Sequence, residues 1–237
     1  MEETATAAAP ADVDAVRAQL VTACRVLLDA GQADMVWGHV SIRDPGGRGI
    51  WLKGSNLGFD EVTEEDVILL SWDGEVLEGS AGRHLEYPIH TELMARRPDV
   101  NAVVHTHPIH SIAFAATGQP LRALSHDATH FVPPDIPRFT LTGDLVRTRE
   151  LGQALADTLG ERLGVLMPQH GITTVGRDVG EAVAAATHLE RACQIALLAG
   201  PGATGSSDEE ALAKQQRSAR HLAMAWSYLA RTAGRAR

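Results

Sequence analysis

Arg97-Pro98-Asp99-Val100-Asn101-Ala102-Val103-Val104-His105-Thr106-His107 is the most informative stretch of the chain. Pro98 stops a preceding helix, and the β-branched run after it reads as a short strand. Alternate side chains of a strand share a face, so His105 and His107 point the same way, about 7 Å apart along the chain. Two imidazoles placed like this can converge on one metal ion. On a helix the same spacing would turn them to nearly opposite sides, so the chemistry depends on the strand. Alone, an H-x-H pair also fits two polar residues on an exposed strand face.

Working outward, Leu85 to Arg97 carries Ile89, Leu93 and Met94 at helical spacing and leads into that strand. Upstream, VWGHVSIR, GIWLKG and VILLSW between Val36 and Leu77 are short strands, punctuated by DPGG and closed by WDGE, which predicts an antiparallel meander. Asp12 or Asp14 is placed to cap a helix running to about Ala30, with Val16, Leu20, Val21, Ala23, Cys24 and Leu27 as its apolar stripe and Gly31 at its end. Downstream, Pro108 opens a helix or turn, and 120–142 is irregular. Asp144 to about Arg162 reads as a helix, GVLMPQHGITTVG as a strand with a loop, and Val179 to Ala199 as a long amphipathic helix. Residues 1–11 lack apolar periodicity and are expected to be flexible. Residues 12–200 are expected to form one domain, 201–208 a linker, and 209–237 a terminal helix. The expected fold class is α+β: α/β/α layers, with a central, mostly antiparallel sheet flanked by helices.

A chain of 237 residues with 44% hydrophobic content can bury one large core. The net charge of -9 leaves no basic face for a phosphate backbone, which argues against nucleic acid as a partner. No apolar run reaches membrane-spanning length and the first residues are acidic, so the expectation is a cytoplasmic protein with no membrane partner. Cys24 and Cys193 lie in apolar helical patterns and read as reduced, buried thiols. The 11 histidines exceed Phe, Trp and Tyr combined.

A third ligand is available at His170, where a strand ends in Gln169-His170-Gly171 and the glycine lets the backbone pass close to a ligand. Three histidines with one open position is the usual catalytic zinc arrangement. His170 alone reads equally well as an ordinary loop histidine. Glu86 opens the helix that leads into the H-x-H strand. A surface carboxylate is favoured there by the helix macrodipole in any case.

Together these positions resemble the class II aldolase/adducin family. The resemblance runs over roughly residues 12–200: the opening helix, Gly38-His39-Val40-Ser41, the Lys53-Gly54 turn, the EDVILLSWDGEVLEG stretch, Glu86, the run from 95 to 107 and Gln169-His170-Gly171. It implies His105, His107 and His170 as metal ligands and Glu86 as the acid/base residue. It also implies a homotetramer with sites at subunit interfaces. The adducin branch lacks the metal histidines and serves structural roles, so retention of all three favours an enzyme.

The chain departs from the family pattern where sugar-phosphate members cradle phosphate. Those members carry Gly-Asn-x-Ser at 38–41, Thr-Gly or Ser-Gly at 53–54, and Ser-Ser before the catalytic glutamate. Here His39, Lys53 and His84-Leu85 stand instead. His39, Ser41, Lys53, Gly54, Arg83 and His84 are therefore the expected substrate-binding set, with cationic groups suited to a planar carboxylate. The proton-donating tyrosine of the aldolases falls near His126, which can do the same work near neutral pH. His90, one turn after Glu86, is expected behind the site, and His188 and His221 as structural histidines.

The reading is a divalent-metal-dependent carbon–carbon lyase acting on a small anionic substrate. It is similar to the dihydroxyphthalate-decarboxylase branch and takes a hydroxylated aromatic acid, with Glu86 and His126 moving protons. Zinc leads among the metals, with Mn, Fe or Co open. The alternatives are aldol cleavage of a sugar phosphate or hydroxy-oxo acid, and a metal-free, adducin-like interaction module.

Overall fold

A computed structural model describes residues 10–235 of the chain. Seven strands form one sheet in the order β4-β3-β2-β1-β5-β7-β6, every neighbouring pair antiparallel. They are β1 (His39–Arg43), β2 (Gly49–Lys53), β3 (Val67–Ser71), β4 (Val76–Glu78), β5 (Ala102–Thr106), β6 (Gly164–Met167) and β7 (Gly171–Gly176). The helices are α1 (Pro10–Asp29), α2 (Tyr87–Arg96), α3 (Ile109–Thr117), α4 (Arg149–Leu159), α5 (Val179–Ala199), α6 (Asp208–Gln215) and α7 (Ser218–Thr232). The expected α+β, three-layered fold is what forms.

The layering follows from strand alternation. Val40, Ile42, Trp51, Val67, Leu69, Ala102 and Val104 face one core, shared with α1, α3 and α5. Ile50, Leu52, Ile68, Leu70 and Val103 face a second core under α2 and α4. Both faces of the central strands are buried, so these strands are apolar on both sides and not amphipathic. By the same parity His39, Ser41 and His105 fall on the α2 side, while Trp51 and Lys53 fall on the α1 side.

Four boundaries differ from the sequence expectation. α1 is already helical at Pro10, so Asp12 and Asp14 lie inside it; the expected flexible segment falls almost wholly outside the described residues. Residues 144–148 are not helical: α4 starts after Thr148, whose hydroxyl accepts the Leu151 N–H. GVLMPQHGITTVG is a hairpin of two strands, β6 and β7. The terminal segment folds as two helices, α6 and α7, broken near Gln216 and Arg217. Cys24 and Cys193 are free and buried, and burial pushes both thiols up to about 12. Among the described residues no helix is long and apolar enough to cross a membrane.

Candidate functional site

β5 carries His105 to the centre of the sheet and ends just before His107. Thr106, between them, turns to the opposite face and donates to Gln32 Oε1 at 2.7 Å. His170 arrives from the β6–β7 turn, where Gln169 takes a left-handed φ of 63° and the His170 N–H donates to Met167 O at 3.0 Å. Gly171 is required here because a Cβ would sit 2.3 Å from Thr106 O and 2.7 Å from His107 Cδ2. The glycine therefore admits β7 to β5, where the sequence reading assigned it to a ligand. That approach brings the His170 ring to 4.9 Å from His105 and 5.3 Å from His107, centroid to centroid.

Glu86 stands at the N-cap of α2 but does not cap it. Its Oε1 accepts the backbone N–H of Val146 at 2.8 Å, which fixes the carboxylate across the cavity floor. Glu86 lies 3.4 Å from His170 Nε2, 3.7 Å from His105 Nε2 and 3.9 Å from His39 Nε2. One ligand atom each from Glu86, His105, His107 and His170 lie within 4.8 Å of one another.

The hydrogen bonds behind the imidazoles set their tautomers. His105 Nδ1–H donates to Ile172 O at 2.9 Å and His107 Nδ1–H to Asp34 Oδ2 at 3.1 Å. Both Nε2 atoms are then bare lone pairs, and they face each other at 3.0 Å. Two lone pairs at that separation repel unless a cation lies between them. Among the described residues, neither buried ring nitrogen of His170 has a hydrogen-bond partner; its 3.4 Å approach to Glu86 lacks hydrogen-bond geometry. Three imidazoles beside one carboxylate are the donor set of a divalent metal ion. Burial and the neighbouring rings hold His105 well below the usual imidazole range. Burial also lowers His107, against the opposing pull of Asp34. A protonated ring could not ligate, so these shifts also suit a metal site.

Beside this cluster opens a cavity of about 310 Å³ whose walls include Trp37, His39, Arg83, His84, Glu86 and His107. The expected substrate-binding set divides on inspection. His39, Arg83 and His84 line the cavity. Ser41 is buried and bonded to His90 Nδ1 at 2.6 Å. Lys53 lies on the α1 side of the sheet, fully buried, and donates to the carbonyls of Val36 and Gly54. Gly54 contributes a carbonyl that accepts from His84 Nε2 at 3.2 Å.

The expectation of a cationic pocket is corrected by burial. It pulls His84 down to about 4 and His39 well below its ordinary value, so both are neutral, and it lowers Lys53 to about 8. The guanidinium of Arg83 is engaged by Gly74 O and stacks 4.6 Å from the Tyr87 ring.

His126 is not among the cavity residues. It is exposed at the start of a short turn, in a neighbourhood that includes His130 on one side and Glu210 of α6 on the other. Sequence reasoning missed Asp34 behind His107, the Val146 amide, and Asn56 and Leu145 in the cavity wall. Asp34 had one usable signal, an acidic residue in an otherwise apolar approach to the first strand.

The profile of the Class II Aldolase and Adducin N-terminal domain matches residues 18–197. The 3,4-dihydroxyphthalate decarboxylase of Arthrobacter keyseri is 34% identical over 196 residues, 76% of this chain and 77% of the relative. The meiotically up-regulated gene 14 protein of Schizosaccharomyces pombe is 35% identical over 164 residues, 68% of this chain, and this chain spans 63% of that protein. Among solved structures, an L-fuculose 1-phosphate aldolase from Glaciozyma antarctica superposes with a TM-score of 0.82 at 26% identity, covering 98% of this chain and 93% of its own. A matched profile over most of the chain, the shared fold and a metal-ready histidine cluster lead to one conclusion: the chain belongs to the class II aldolase and adducin family.

Proposed function

We propose that the protein is a divalent-metal-dependent decarboxylase of a hydroxylated aromatic carboxylic acid, with zinc as the resident ion on His105, His107 and His170. The observation that carries this is the pair of bare Nε2 atoms 3.0 Å apart, next to a carboxylate held by the Val146 amide. When bound, the ion supplies Lewis-acid stabilisation of the negative charge that builds on a substrate oxygen as the carbon–carbon bond breaks. Glu86 takes the proton of the substrate hydroxyl and delivers it to the ring carbon that loses carbon dioxide. The charge left by the lost carboxylate then resides on the hydroxyl oxygen, which is reprotonated from water.

Two findings favour a carboxylate over a phosphate. The hydroxyls that would flank Glu86 in a sugar-phosphate member are replaced by His84 and Leu85. The similarity to a dihydroxyphthalate decarboxylase points the same way. Aldol cleavage remains the second reading, favoured by the likeness to an L-fuculose 1-phosphate aldolase over nearly the whole chain.

The catalytic unit spans residues 12–200 and works in the cytoplasm as a homotetramer, with the helices after 208 packed onto its core. Exposed His126 of a neighbouring copy then relays the water-derived proton to the hydroxyl oxygen, since it does not line its own chain's cavity. Carbon dioxide release from 3,4-dihydroxyphthalate, compared with cleavage of L-fuculose 1-phosphate, tests the assignment. Efficient sugar-phosphate cleavage without decarboxylation would overturn it. Glu86→Gln should lower turnover about 10²- to 10⁴-fold while zinc still binds; full turnover in that variant removes Glu86 as the proton carrier.

A further inference from the structure

Behind the cavity wall runs a buried chain of three side chains that metal ligation does not use. Ser41 Oγ lies 2.6 Å from His90 Nδ1, and His90 Nε2 lies 2.6 Å from His39 Nδ1. Ser41 and His90 are fully buried and His39 is 2% exposed. His39 and Ser41 alternate onto the α2 side of β1, and His90 descends from α2 to meet both.

Two proton arrangements are possible along this chain, and the serine decides between them. Among the described residues, Ser41 Oγ has no hydrogen-bond partner other than His90 Nδ1. If His90 Nδ1 carried the proton and donated, the hydroxyl proton of Ser41 would be buried with no acceptor. Ser41 must therefore donate to His90 Nδ1. His90 then carries its proton on Nε2 and donates to His39 Nδ1. That leaves the proton of His39 on Nε2, the atom facing Glu86 Oε2 at 3.9 Å. A gap of 3.9 Å is too long for a hydrogen bond, but one substrate oxygen can lie beside it and accept from the N–H.

We infer that Ser41 and His90 lock His39 as an uncharged Nε2–H donor, which grips a carboxylate or carbonyl oxygen of the substrate beside Glu86. This rests on the cavity being the substrate site, as proposed above. His39 makes direct contact with substrate, whereas Ser41 and His90 are positioning residues that act through it. The lock supplies a donor without positive charge at the position where sugar-phosphate members carry asparagine. It also removes a competing base, since the acceptor tautomer of His39 could take the proton intended for Glu86.

The test is long-range proton–nitrogen correlation NMR on the ¹⁵N-labelled, zinc-loaded protein, with the His39 ring assigned by its loss in His39→Gln. His39 and His90 are each expected with Nε2 protonated and Nδ1 bare. In Ser41→Ala, which leaves both imidazoles in place, the His39 ring should become a mixture of tautomers. In His90→Phe the KM of the turned-over substrate should rise about tenfold, the equivalent of one hydrogen bond, with kcat changed far less. His90→Gln, whose amide can again donate to His39 Nδ1, should recover most of that loss. A bare Nε2 on His39 in the parent protein overturns the lock whatever the substrate is. An unchanged KM in His90→Phe with a shifted tautomer overturns the gripping role. Failure of dihydroxyphthalate to turn over would instead count against the reaction assigned above and leave the tautomer result standing.

Discussion

Asp34 shows how much of a metal site rests on one residue outside the ligand set. Its carboxylate accepts from His107 Nδ1–H and so turns the bare Nε2 toward His105. Without that acceptor the ring can rotate or exchange tautomers. Asp34→Ala should weaken zinc about 10- to 100-fold, read by competition with a chromogenic chelator; unchanged affinity would show that the His107 ring is held by packing alone. At this scale the sequence was partly legible. Strand parity places the H-x-H pair on one face, whereas His170 and Glu86 stood out only through the family resemblance. Asp34, the Val146 amide and the Ser41–His90 contact depend on how distant segments dock, and no local period reports that. The charge states misled for the same reason: His39 and His84 were read as cationic, and the elements that cover them hold both rings below the ordinary imidazole value.

Among the elements, α5 and α7 meet through a helix surface thinned at Gly180. A Cβ there would lie 2.4 Å from Trp226 Cδ1, so the indole of α7 rests directly on the α5 backbone. Gly180→Ala should push α7 outward at a cost of roughly 1–3 kcal/mol. Trp226 emission, taken as a difference against Trp226→Phe, should shift to the red, and α7 should become more open to protease while zinc content stays constant. An unshifted emission would mean the helices slide without separating. β1, β2, β3, β5 and α5 were legible because short apolar runs bounded by turn residues and a long periodic face identify them, whereas β4 was missed and the β6–β7 hairpin read as one strand with a loop. The starts of α4 and α7 were not. Residues 144–148 keep helix-compatible residues, yet Asp144 and Thr148 use side-chain bonds to turn the backbone.

For the molecule as a whole, histidine burial sets the response to acid. His39, His84, His90 and His130 are all held below the ordinary imidazole value chiefly by desolvation, to about 4 for His84 and His130 and about 3 for His90. An unfolded chain binds protons on these rings near pH 6.5, whereas the folded one refuses them to much lower pH. Unfolding therefore takes up protons, so stability is full above the unfolded value and falls as the pH drops below it. The urea midpoint should be nearly constant just above neutrality and decline already between pH 6.5 and 5, before carboxylates titrate. A flat midpoint through that window would show that the rings are hydrated in solution. The three-layer architecture was legible from strands near the start and helices around them. The central place of β1 was not, because nothing local says that β5 will pair with β1 and not with β4.

That placement has a kinetic consequence. The meander from β1 to β4 closes through local connections, the longest being 54–66 between β2 and β3, but β5 must return past all of it to align His105 with His39. Such a closure carries the loop entropy of the intervening chain and comes late in folding. Until it occurs, His39 and His105 stay apart, whereas His105 meets His170 through the separate pairing of β5 with β7. Capture of a metal ion on the three proposed histidines would therefore wait on the β5–β7 pairing, and its approach to Glu86 on the docking of α2 as well.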